Sequence, residues 1–223
     1  MNPISNLSRS TLFLIAAAAG LAGGTGGWSQ NLQPTTRPLV ILIGPPLSGK
    51  TTFVADVQRN YGIPGISVED LITEHATELR RLHPEGAVLA EMRYDPAMSR
   101  FLRTRLESMD LSHGVALDGF PATRSQAEDL AKIIPEFKLS GIVLQLEIPD
   151  ETVRKRAATG GRQSDRPKII EQRIKDYHRE FDMISVYFPN AQIVKIDGTE
   201  SEELMWKAMQ QALDQWGLRP AKK

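Results

Sequence analysis

The stretch that most constrains this chain joins the apolar run Leu39-Val40-Ile41-Leu42-Ile43 to Gly44-Pro45-Pro46-Leu47-Ser48-Gly49-Lys50-Thr51-Thr52. A β-branched strand leads into a glycine-bearing turn, and the helix-compatible run Phe53-Val54-Ala55-Asp56-Val57 leads out of it. Strand, loop and helix in that order form a loop that wraps a polyphosphate. Backbone N–H groups close on an anion only where glycine leaves room, and Gly44 and Gly49 meet that need. Lys50 is expected to reach the β- and γ-phosphates and Thr51 to place its hydroxyl on Mg²⁺, with Pro45, Ser48 and Thr52 completing the cradle. A helix starting near Lys50 aims its positive dipole end at the same anion.

At 223 residues the chain has room for one α/β domain with a sizeable core, and not obviously for two. Its 27 basic and 27 acidic residues balance, so nothing global points to nucleic acid, and no such partner is expected. Basic chemistry must come from arginines gathered locally. Cysteine is absent, which excludes disulfides, thiolate catalysis, zinc–thiolate sites and lipid attachment through a thiol. The histidines at 75, 83, 113 and 178 are scattered without ligand spacing and read as surface or structural residues.

Residues 1–37 differ from the rest: they hold no acidic residue, place Arg9 ahead of an apolar run at 12–22, and continue through Gly23-Gly24-Thr25-Gly26-Gly27-Trp28-Ser29-Gln30. This is the layout of a secretory signal with cleavage near Ser29, and the apolar run is short for a membrane span. Export or membrane tethering is therefore the expectation, with any membrane contact made through this segment alone. A disordered extension or an organelle transit peptide shares the same composition, and a cytoplasmic location is the alternative, since ATP is scarce outside the cytoplasm.

From residue 38 onward short apolar runs alternate with helical patterns, the signature of a mainly parallel sheet. Strands are expected at 39–43, 63–68, 114–117, 141–148 and 191–196. Helices are expected at 50–59, 69–82, 97–108, 124–134, 150–158, 167–187 and 201–216. Gly160-Gly161 interrupts an arginine-rich helical region and predicts a short, glycine-hinged flap.

Three further segments carry a resemblance. Asp118-Gly119-Phe120-Pro121 follows a strand and precedes Gln126, five residues past the proline. Arg156, Arg162 and Arg173 are spaced six and eleven residues apart across the flap. Lys195-Ile196-Asp197-Gly198-Thr199 precedes the last helix. Together with the phosphate loop, these segments resemble the adenylate kinases and other nucleoside monophosphate kinases of the short-lid type, in the right order over residues 38–217, with 218–223 as a tail. The resemblance implies a phosphate-loop NTPase fold of three α/β/α layers, with a five-stranded parallel sheet, a small monophosphate-binding insertion and a short lid. It also implies a monomer that takes small-molecule nucleotides as partners, with ATP and Mg²⁺. In that reading Lys50, Arg156, Arg162 and Arg173 are catalytic, with Arg156 and Gly198 contacting ATP. Thr51 and Asp118 hold the metal, and Ser67, Asp118, Gly119, Phe120, Gln126, Arg162 and Arg173 face the acceptor.

The γ-phosphoryl of ATP is expected to pass in line to a monophosphate oxygen, which is largely dianionic at neutral pH and needs no general base. The chain also departs from the family. Leu47 and Thr51 stand where glycines are usual, changes that the general phosphate-loop pattern accommodates. In Ser67-Val68-Glu69-Asp70-Leu71-Ile72-Thr73 the family's terminal arginine is Thr73, and the arginine after Pro121 is Ala122. Each such contact contributes about 1.5–3 kcal/mol, so two lost without replacement weaken monophosphate binding by on the order of a hundredfold or more. Arg124 and Arg93 are the candidate substitutes, and Glu69 would repel a phosphate. Three readings follow: a monophosphate kinase with an altered acceptor pocket, a kinase of another small acceptor, or a nucleotide-binding module with little transfer activity.

Overall fold

A computed structural model describes residues 36–84, 89–160, 166–185, 187 and 192–221. The N-terminal signal-like segment and residues 161–165, with Arg162 and most of the expected flap, lie outside the described residues. Five strands, β1 (Arg37–Ile43), β2 (Gly65–Ser67), β3 (Val115–Asp118), β4 (Leu139–Glu147) and β5 (Gln192–Asp197), pair in parallel in the order β2-β3-β1-β4-β5. Parallel neighbours require crossovers, and these are helical: α1 (Lys50–Tyr61), α2 (Val68–Glu74), α3 (Ala76–Leu82), α4 (Ala97–Ser108), α5 (Arg124–Glu136), α6 (Asp150–Gly160) and α7 (Pro167–Ser185), while α8 (Glu202–Trp216) follows the last strand.

Alternation along the central strands separates two cores. Leu39, Ile41 and Ile43 of β1 face a cluster that includes Leu71, Phe101, Phe120 and Leu130 from α2, α4, the loop after β3 and α5. Val40 and Leu42 face Phe53, Val57, Met209 and Trp216 from α1 and α8. With both faces covered, every residue from Leu39 to Ile43 is buried, which is why the strand reads as an unbroken apolar run. A third, smaller cluster (Ile148, Val153, Ala157, Ile170, Ile174) joins α6 to α7. Beyond α8, Leu218 is buried, and the Ala221 N–H donates to the Asn60 carbonyl at 2.9 Å.

Among the described residues the structure departs from the sequence expectation most in three places, beyond shifts of one or two residues at the ends of other elements. The strand expected at 63–68 keeps only Gly65–Ser67, because the Ser67 side chain accepts from the Asp70 N–H at 3.0 Å and starts α2. The helix expected at 69–82 breaks at His75 (φ −103°, ψ 16°), whose ring lies flat on Phe101 of α4 with centroids 3.8 Å apart. The break lets Leu71 and Ile72 of α2 and Leu79 of α3 all reach the core. Finally, a 3₁₀ turn at Leu89–Tyr94 stands where no element was expected.

Candidate active site

The site lies at the carboxyl ends of the strands, where open α/β sheets place their ligands. Leu42 of β1 is in register with Asp118 of β3, and Asp118 with Ser67 of β2, so the phosphate loop emerges beside the Asp118 carboxylate. A Cβ on Gly44 would come within 2.8 Å of the Leu146 carbonyl oxygen and 2.9 Å of Ser48 Oγ, so only glycine passes there without displacing β4 or the loop. Gly49, at φ +98°, caps α1 in a conformation that side chains disfavour. Leu47 adopts φ +60°, the backbone of the glycine it replaces; that conformation costs about 1–2 kcal/mol in a non-glycine residue. Its side chain packs against the α6–α7 cluster, an offset that glycine lacks.

Lys50 Nζ donates to the Gly44 carbonyl (3.0 Å), the Pro45 carbonyl (2.8 Å) and buried Ser48 Oγ (3.3 Å), so all three ammonium protons have acceptors inside the loop. Burial pushes the Lys50 pKa down to about 8, against the opposing pull of Asp118, while Arg93 and Arg173 push it the same way as burial. Burial likewise raises Asp118, against Lys50 and the Thr51 hydroxyl, which donates to Asp118 Oδ2 at 2.6 Å. Thr51 and Thr52 are exposed at the head of α1. Arg156 bridges two segments expected on the donor side: Nη1 donates to the Leu47 carbonyl (3.0 Å) and Nη2 to the Gly198 carbonyl (2.8 Å).

Between the loop and α7 opens a solvent-accessible cleft. Lys50, Arg93 and Arg173 line it together with Gly44, Gly119, Pro121 and Ala122, so the structure gathers cations from three separate segments. Tyr94, Tyr177, Glu180 and Phe181 complete the wall and were not singled out in the sequence. The last three stand four, seven and eight residues after Arg173, the spacing that keeps one face of a helix, and this is the signal that could have found them.

The remaining expected acceptor residues have other partners. Ser67 caps α2, and Phe120 lies in the core at 1% exposure. Gln126 is 0% exposed: Oε1 accepts from the Ala122 N–H (2.7 Å), and Nε2 donates to the carbonyls of Arg93 (2.8 Å) and Asp95 (3.2 Å). Its amide therefore ties the start of α5 to the 3₁₀ turn. The two candidate substitutes for the missing arginines separate as well. Arg124 is exposed, donates to Glu128 Oε1 (3.0 Å) and Tyr187 Oη (2.7 Å), and is not among the cleft residues. Arg93 is in the cleft wall, 12% exposed, and pairs with Glu69.

Among the described residues no group of three or more His, Asp or Glu could hold a metal ion on its own. Thr51 Oγ1 and Asp118 Oδ2 are nevertheless a pair of adjacent hard oxygen donors, which fits an ion that keeps most of its shell as water and phosphate.

Comparison with known proteins agrees with this geometry. The adenylate kinase family model matches residues 42–193. An adenylate kinase of Micrococcus luteus is 32% identical over 169 residues, covering 72% of this chain and 82% of the relative. One from Methanosarcina barkeri is 28% identical over 209 residues, covering 78% and 97%. The matched span takes in the phosphate loop, the Asp118 turn and the arginines of α6 and α7, and on that ground the chain belongs to the adenylate kinase family of phosphotransferases.

Proposed function

We propose that this protein transfers the γ-phosphoryl group of ATP to a nucleoside monophosphate. The observation that carries the reading is that Lys50, Arg93 and Arg173 line a single cleft beside the Thr51–Asp118 pair. A phosphoryl group in transit spreads negative charge over its oxygens, and fixed cations around it lower the barrier. The attacking atom is an oxygen of the acceptor phosphate, already deprotonated near neutrality because its second pKa is about 6. As that oxygen bonds to the γ-phosphorus, the bond to the β–γ bridging oxygen breaks and its electron pair leaves with the diphosphate. No proton has to move. Lys50 follows the developing charge, exchanging its carbonyl acceptors in the loop for phosphate oxygens. Arg156 ties the loop to the turn at Gly198 and so fixes the donor side. Magnesium, held by Thr51 and Asp118, would neutralise the β- and γ-oxygens when bound.

A second reading, a nucleotide-binding module with little transfer activity, is favoured by one observation: Thr73 and Ala122 stand where the family carries phosphate-binding arginines. A coupled assay of ATP and Mg²⁺ with AMP, CMP, UMP, GMP and the deoxynucleotides distinguishes the two. Turnover of at least one acceptor, abolished in Lys50→Ala with the fold retained, supports the kinase. ATP binding without turnover above the Lys50→Ala control supports the module.

A further inference from the structure

We infer that Arg93, delivered by the 3₁₀ turn before α4, is the acceptor-phosphate clamp of this chain and takes over the work of the arginines missing at Thr73 and Ala122; the inference rests on the monophosphate-kinase reading above. Two observations carry it. Arg93 lines the cleft alongside Ala122 and Gly119, the turn where one missing arginine would have stood, and shares that cleft with Lys50. Its main chain is also held: the carbonyl of Arg93 accepts from buried Gln126, whose other acceptor and donor bonds go to Ala122 and Asp95. An arginine on a turn anchored in this way is preorganised, which an arginine on a free loop is not.

Glu69 then has a defined part. Its carboxylate pairs with Arg93, but the Glu69 side chain is 55% exposed while that of Arg93 is 12% exposed. A half-exposed carboxylate is a weak competitor, and a dianionic phosphate offers the same fork more charge and more oxygens. Glu69 is a stand-in that keeps the guanidinium paired until the acceptor displaces it.

The test uses the full chain and the monophosphate that the wild type turns over best. In Arg93→Ala the acceptor KM should rise about ten- to a hundredfold while the ATP KM stays within about twofold. Adding Ala122→Arg to Arg93→Ala should recover at least part of that loss. Glu69→Gln, which removes the competitor and keeps its shape, should lower the acceptor KM by up to about fivefold. An unchanged acceptor KM in Arg93→Ala, with the wild type active, overturns this inference and leaves the kinase reading standing. Absence of turnover of any monophosphate by the wild type removes both. Should Arg93→Ala not fold, Arg93→Lys decides, because it keeps the charge and loses the fork: the acceptor KM should rise several-fold, and an unchanged value overturns the inference.

Discussion

Binding of a triphosphate should draw a proton onto Lys50. Burial holds the amine at about 8, well below its ordinary value, with Arg93 and Arg173 adding to the depression. A triphosphate in the loop reverses the balance, because its charges favour the ammonium form and return the pKa towards or above the usual value of about 10.4. Between those two values the complex holds more protons than the free protein, so by linkage affinity must fall as pH rises through that window. The amount follows from simple titration. Uptake per site should be about 0.1 proton at pH 7, about half a proton at pH 8 and about 0.9 at pH 9, and Kd should rise about sevenfold between about pH 8.5 and about pH 9.5. Isothermal titration calorimetry with a non-hydrolysable ATP analogue, repeated in buffers of different ionisation enthalpy, reads the uptake directly. Above pH 8 the analogue's own phosphates are fully ionised and contribute little, and Lys50→Met should show no uptake. A buffer-independent enthalpy at pH 9 in the wild type, or the same uptake in Lys50→Met, would refute the reasoning.

Two further outcomes follow from buried polar groups. The folded-state pKa of Asp118 is raised by burial, so its charge costs stability at neutral pH, and that cost disappears as pH falls through the raised pKa. Asp118→Asn should therefore raise the thermal midpoint while lowering turnover by about a hundredfold or more, and a lower midpoint would show that the Lys50 and Thr51 contacts outweigh burial. Gln126→Leu strands the Ala122 N–H and the Arg93 and Asp95 carbonyls, and urea unfolding should lose about 3 kcal/mol with an unchanged m-value; a loss below about 1 kcal/mol would mean that the turn is held by other contacts.

The features legible in the sequence are those set by neighbours along the chain. The apolar run at β1, the glycines of the loop and the cap-marked helix starts act within a few residues of themselves, so their meaning survives without tertiary context. The strand that ends in Asp118 was equally plain, and parallel order follows from the helices between the strands. What the sequence left open was which arginine lines the cleft. Arg93 and Arg124 were equal candidates there, and tertiary contacts, one local and two from residues far along the chain, separated them. Glu128 and Tyr187, the latter 63 residues away, hold Arg124 at the surface, while Gln126, 33 residues from Arg93, pins the turn that points Arg93 into the cleft. The break at His75 has the same origin, since stacking on Phe101 overrides a helical pattern that contains neither glycine nor proline. Local periodicity states which backbone a segment prefers, and only the packing of distant segments decides which side chains share a site. The phosphate loop was therefore written in one stretch of sequence, and the choice of arginine lining the cleft beside it was made by the fold.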